Sequence, residues 1–262
     1  MPALDQLRDS LSRYGSLILY KTYAELRAES ERTYVGFLWW FVDPIVMMLV
    51  YYMVFTVILK TRSQDFLAFL FIGILSWRWF STSIMHGANS ILSARGLMQQ
   101  VYLPKVIFPI VAVLTDTVKF LIVLTVLLVV LPFFGFPLAI AHLALIPVVV
   151  AQFLLVTGCA TFAAAVVPLL PDLRMVLQNG LRMVFFLSGI FYDINVFPEE
   201  IRRFLYLNPM AVLIKMYRGI ILEGTAPSFL AIGAIIAAGV TVGLIGYWVT
   251  RRLDFLYPKM RY

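Results

Sequence analysis

The sequence predicts an all-α integral membrane protein with six transmembrane helices, an N-terminal amphipathic interface helix, and a re-entrant helical hairpin between spans five and six. Three observations carry that prediction. Apolar runs long enough to cross a bilayer recur along the chain. Of its 262 residues, 62% are hydrophobic and only 13% are charged. The charges mostly fall between the apolar runs. A hydrocarbon core about 30 Å thick needs roughly 20 apolar residues of helix at ~1.5 Å rise each. Average soluble domains are roughly 45–50% apolar and 25% charged, so a soluble fold could not hide this much apolar surface. A β-barrel would instead show alternating segments of about ten residues.

The first element is amphipathic. Leu4, Leu7, Leu11, Tyr14 and Ile18 recur at spacings of three and four, with Arg8, Asp9, Ser12 and Arg13 between them. The pattern fits a packed cytoplasmic helix, and fits better a helix lying in the headgroup plane before the first span. The first thirty-six residues lack an apolar h-region, so no cleavable signal peptide is expected. Residues 1–36 are therefore assigned as a cytoplasmic interface helix and 37–262 as one membrane domain.

The spans are expected at 37–59, 66–88, 106–131, 142–168, 174–192 and 228–250. Polar punctuation separates them: Lys60 to Asp65, Arg95 to Lys105, Pro132 to Pro137, and Pro168 to Arg174. Thirteen Lys and Arg residues fall on the side of the termini and six on the other, with Arg174 and Arg182 counted in the fourth-to-fifth junction. The positive-inside bias then places both termini in the cytoplasm. The same bias accounts for the net charge of +7, and nucleic-acid binding is not expected.

Residues 194–223 do not read as a simple loop. Pro198-Glu199-Glu200 has the signature of a helix first turn, and Asn208-Pro209 breaks the chain before a second short helix from Met210 to Leu222. Each piece is too short to span, and non-helical backbone at membrane depth survives only beside protein or water. A re-entrant hairpin that lids a pathway on the outer side is the expected form.

No catalytic set is visible. His86 and His142 are the only histidines, Cys159 is the only cysteine, and no HExxH or phosphate-binding glycine loop occurs. No metal site and no ATPase activity are expected in this chain. Buried polarity is the stronger signal: Asp43, Arg78, Asp116 and Lys119 fall within expected spans, and intramembrane charge marks function by default. Asp116 and Lys119, three apart, can neutralise each other. Asp43 can cap or pair locally near the inner interface. Arg78, flanked by Trp77 and Trp79 near mid-span, either bridges to a neighbouring span or faces cargo in a pore. Aromatic residues make up 15% of the chain. Tyr51, Tyr52 and Phe55 in span one, with Phe185, Phe186, Phe191 and Tyr192 in span five, need not all be interfacial. Rings lining a wide channel tolerate sugars weakly and at many registers.

Three blocks resemble the polysaccharide-export ABC transporter permeases, the membrane subunits of O-antigen and capsule exporters. They are Arg32-x3-Gly36-x-Leu38-Trp39 with Asp43-Pro44, Met47-Met48 and Tyr51; Ala88 to Met98 with Val101-Tyr102-Leu103-Pro104-Lys105 and Pro109; and Asn208-Pro209 through Tyr217-Arg218. The sequence departs from the pattern at Asp43, where Glu is commoner, and at Gln100, where Lys is usual. The resemblance implies a homodimer docked on two separate cytoplasmic ATPase subunits, which would carry ATP and Mg; no cofactor is implied in this chain. It implies export of a lipid-linked polysaccharide across the bacterial inner membrane. The 89–105 loop would couple to the ATPase through Leu97, Met98, Gln99, Gln100, Tyr102 and Pro104. The 194–223 hairpin would be the periplasmic gate, with Pro198, Asn208, Pro209, Tyr217 and Arg218. Pathway candidates are Tyr51, Tyr52, Phe55, Arg78, Phe185 and Phe186. Teichoic-acid or small-molecule export stands behind these cargoes, and a membrane-embedded lipid-sugar transferase further back.

Overall fold

The computed structural model describes residues 2–31, 36–58, 65–100, 103–137, 139–255 and 257. Of the residues singled out above, Arg32, Lys60, Val101 and Tyr102 lie outside that set. Ten α-helices occur among the described residues: α1 (Pro2–Glu31), α2 (Trp39–Tyr52), α3 (Phe66–Ser93), α4 (Arg95–Gln100), α5 (Ile107–Val130), α6 (Leu145–Val166), α7 (Leu173–Leu187), α8 (Glu199–Leu205), α9 (Pro209–Leu222) and α10 (Phe229–Arg252). No strand is assigned among them. Five helical stretches are long and apolar enough to cross a membrane, and α8 with α9, bent by 100° at their junction, makes a sixth if counted as one span.

The expected all-α membrane architecture therefore stands, with one boundary changed. The span expected at 174–192 is α7, a helix of 15 residues. At ~1.5 Å per residue that is about 22 Å, short of a full crossing. It stops because Ser188 turns its hydroxyl back to the Val184 carbonyl at 2.6 Å, and Gly189 adopts φ +68°. A left-handed glycine ends a helix without the steric penalty other residues meet.

The core forms around α3, which is buried along most of its length among α5, α6 and α9. Gln152 of α6 is fully buried and donates its amide to the Ser76 carbonyl of α3 at 2.8 Å. Trp79 stacks on Phe120 of α5 at 4.2 Å and donates its indole N–H to Thr117. The closest helix pair is α6 with α10, and glycine makes it possible. A Cβ at Gly239 would meet the Leu155 backbone at 2.6 Å, and one at Gly246 would meet the Phe162 backbone at 2.6 Å. Gly158 and Gly239 face each other in the same seam. With no hydrophobic drive between helices in lipid, such backbone approach supplies the van der Waals contact that holds them.

Helix α1 runs alongside α5 in the same direction. Lys21 sits over the Phe108 ring at 4.4 Å, Glu25 accepts from the Thr115 hydroxyl at 3.5 Å, and Glu29 pairs with Lys119. Burial lowers the pKa of Lys21 and raises that of Glu25, each partly offset by the other's charge.

Replacing Gly239 with Leu is expected to cost at least the ~1–3 kcal/mol typical of overpacking. Monodisperse protein in detergent should be lost by size exclusion. Gly233→Leu, where an added Cβ meets nothing within 4 Å, should leave recovery unchanged.

Candidate functional site: a polar and aromatic groove at membrane depth

Helices α2 and α7 touch the rest of the chain sparingly. Only Pro44 and Met48 of α2 are buried, and no residue of α7 is. Between them and α3 lies a groove of about 520 Å³. Arg78, Ser81, Thr82 and His86 line it from α3, Gln178, Arg182, Phe185 and Phe186 from α7, and Met47 and Tyr51 from α2. On α3 and α7 the polar residues recur at about three to four positions, so each of those two walls presents a polar stripe. Gln178 and Arg182 are both exposed, and Arg182 is flanked by the apolar Leu181 and Met183. Such groups face water or protein rather than lipid tails.

Above the stripe the rings close together. Phe191, buried in the turn after α7, contacts Tyr51 at 4.7 Å, Phe185 at 5.1 Å, Phe55 at 5.2 Å and Phe186 at 5.9 Å. Trp77 meets Phe185 at 5.7 Å. Of the six pathway candidates, Tyr51, Arg78, Phe185 and Phe186 line the groove. Phe55 stacks on Phe191 beyond the lining, and Tyr52 packs against the core.

Arg78 does bridge to a neighbouring helix: its Nη2 donates to Asp43 Oδ2 at 2.6 Å. Asp43 thus pairs across helices, and the pair walls the groove from a second pocket of about 260 Å³ between α2, α3 and α5. There Asp116 accepts from Lys119 at 3.3 Å and bonds the His86 ring at 2.8 Å, and Lys119 also reaches Glu29. The sequence reading anticipated the Asp116–Lys119 pair. It missed His86 and Glu29, because partners 30 and 90 residues away carry no local signal.

At the other end of α3, α4 buries Met98 against Ile91, Phe108, Ala164 and Tyr257 and leaves Leu97, Gln99 and Gln100 exposed. Pro104 is half-buried just before Lys105, whose Nζ pairs with Asp254 at 3.1 Å. Tyr257 donates to the Ala165 carbonyl, and burial pushes its hydroxyl up to about 12. The segment flanking α4 is thereby pinned to the end of α10.

The prolines and asparagine that punctuate the hairpin cap its helices. Pro198 caps α8, and the Asn208 side chain caps α9 at Met210 N (3.0 Å) and donates to Ser188 at 2.8 Å. Pro209 takes the first position of α9. Tyr217 is fully buried. Arg218 donates to the carbonyls of Gly189 at 2.7 Å, Ile190 at 2.8 Å and Phe69 at 3.0 Å. Gly73 leaves it room, since a Cβ there would meet Nη2 at 2.7 Å.

A sequence profile of the ABC-2 type transporter family matches residues 19–222, which spans every helix of the groove and hairpin. The chain belongs to that family. An O-antigen export system permease protein RfbA of Myxococcus xanthus is 33% identical over 236 residues, 88% of this chain and 90% of that protein. One of the same name from Klebsiella pneumoniae is 20% identical over 256 residues, 97% and 98% of the two chains. As an ABC-2 transporter subunit, the chain is a multi-pass membrane protein, and its groove lies inside the matched region.

Arg218→Met removes all three donors while roughly keeping volume, leaving the non-helical Gly189 and Ile190 carbonyls unmet at ~1–3 kcal/mol each. Thermal unfolding in detergent should fall by several degrees, with Arg218→Lys recovering only part. Unchanged unfolding would show that the pin is dispensable.

Proposed function

We propose that this chain is the transmembrane subunit of an ATP-driven ABC exporter that moves a lipid-linked polysaccharide, of the O-antigen kind, from cytoplasm to periplasm through a pore made by two copies. The observation that carries the reading is the groove: a polar stripe with aromatic rings, at membrane depth, between two helices that one copy leaves largely uncovered. A second copy facing α2 and α7 would turn that groove into a water-filled, ring-lined channel. Such a surface suits sugars, which need weak and repeated contacts to keep moving. Export of O-antigen by similar permeases, named as such, supports the cargo class.

In this reading both termini are cytoplasmic and the membrane is the bacterial inner membrane. ATP and Mg act on two partner ATPase subunits, which dock on α4 and the 89–105 loop. The exposed Leu97, Gln99 and Gln100 would meet the ATPase, while Met98 and the Lys105–Asp254 pair carry its movement into α3, α5 and α10. The 194–223 hairpin would gate the periplasmic mouth.

The test is reconstitution with the ATPase encoded beside this gene. The pair should co-purify and translocate a lipid-linked polysaccharide into vesicles on ATP addition, and Leu97→Asp should keep hydrolysis while cutting transport at least tenfold. Failure to recruit any ATPase would overturn the reading.

A further inference from the structure

A cavity of about 750 Å³ lies between α1, the last turns of α3 and the first half of α5. Lys21, Glu25 and Glu29 line it from α1, Asn89 and Ser93 from α3, and Lys119 from α5. Counting ~1.5 Å per residue from Phe66, α3 has crossed the ~30 Å of hydrocarbon by about residue 86. Asn89 and Ser93 therefore stand at headgroup level, beside an amphipathic helix suited to the same plane.

The charges of this cavity balance in number, two lysines against two glutamates, but they are not equally answered. Glu29 and Lys119 form a close pair. Lys21 and Glu25, one turn apart on α1, do not: Nζ and Oε1 are 3.8 Å apart, where a charge-assisted hydrogen bond needs about 2.7–2.9 Å. The Thr115 hydroxyl reaches Glu25 only at 3.5 Å, and Lys21 rests on the Phe108 ring at 4.4 Å. Burial works against both charged forms, lowering the Lys21 pKa and raising that of Glu25. A half-met cation and a half-met carboxylate, side by side, suit a ligand that carries both signs.

We propose that this cavity holds the headgroup of an ethanolamine-type phospholipid, with its phosphate on Lys21 and its primary ammonium on Glu25. A phosphate needs donors, and Lys21 supplies them together with the Ser93 hydroxyl and the amide of Asn89. Asn89 spends one amide hydrogen on the Met85 carbonyl and keeps the other. A primary ammonium brings three N–H groups to the open oxygens of Glu25, whereas a trimethylated one brings none. A headgroup with a phosphate and no ammonium would set its charge against Glu25 and Glu29 with nothing to offset it. The depth of the cavity selects a lipid over a free solute, because a leaflet's own headgroups run at that level. Leu97 of α4 borders the same cavity, so an occupied site touches α1, α3, α4 and α5 together. The site is independent of what the transporter carries.

The test is native mass spectrometry of the full chain in a neutral detergent, titrated with phospholipids that share the same acyl chains. Phosphatidylethanolamine is expected to add one saturable lipid per chain, roughly tenfold or more tighter than phosphatidylcholine or phosphatidylglycerol. Glu25→Gln should bring it down to the phosphatidylcholine level, and Lys21→Met should weaken both of these lipids. Ser93→Phe fills the cavity from α3 without touching α1, and should abolish the preference; it decides the matter if the α1 variants fail to fold. Equal binding of the ethanolamine and choline lipids would overturn the proposal, as would a preference that survives both Glu25→Gln and Ser93→Phe. Tighter binding of phosphatidylglycerol would overturn it in favour of a simple anion site. Glycerophosphoethanolamine, the same headgroup without chains, should not compete at equal concentration; competition on a par with the lipid would overturn the lipid assignment.

Discussion

A hydrocarbon slab offers no water to a charged side chain or an unpaired carbonyl, and Arg218 is where this fold meets that constraint most directly. The chain breaks after α7 at Ser188 to Ile190, and again where α3 begins. The break after α7 leaves the Gly189 and Ile190 carbonyls outside any helix, and each would be costly in an apolar surround. One guanidinium answers both, adds a bond to the Phe69 carbonyl near the start of α3, and lies over the Phe69 ring at 3.3 Å. A glycine on α3 gives it space. The turn after α7 and helix α9 of the bent pair are tied to α3 by that arrangement.

The same constraint separates structural from functional polarity elsewhere. Charges near α1 and α5 answer one another: Glu29 with Lys119, Lys119 with Asp116, Asp116 with His86. They tie three helices together and leave little net charge. The stripe on α7 does not close on itself, and Gln178 and Arg182 remain open beside Arg78. Polarity that stays unanswered within one chain, on a helix with no buried residue, points outward to a partner, to water or to cargo. The thin attachment of α2, through little more than α3 and the Asp43–Arg78 pair, fits a helix whose other neighbour is not part of this chain.

Much of the architecture was legible in the residues. Apolar length located the spans, and Pro198 with Asn208-Pro209 located both short helices of the hairpin to within a residue or two. Aromatic positions 51, 185 and 186 and the lone Arg78 were enough to bring four groove residues together. Other features left no local trace. Arg182 fell inside the span expected at 174–192 yet was counted with the charges of the fourth-to-fifth junction; the structure places it on α7, in the lining of the groove that Arg78 shares. His86 joins Asp116 across thirty residues, and the glycine seam of α6 and α10 joins Gly158 to Gly239 across eighty-one. Those pairings are set by how helices pack, and one sequence read in order does not encode them visibly. Tyr217 and Arg218, gate residues by the resemblance, are both buried within the hairpin, which a sequence read alone does not reveal.

The central claim is that the face between α2, α3 and α7 is a water-lined path. It is tested most directly by accessibility. With Cys159 replaced by Ala, a single cysteine at Gln178 should react with a membrane-impermeant thiol reagent in intact membranes holding the assembled transporter. A cysteine at Val126, exposed on the outer surface of α5, should stay protected. Equal protection at both positions would mean that the α7 stripe meets no water, and would contradict the account.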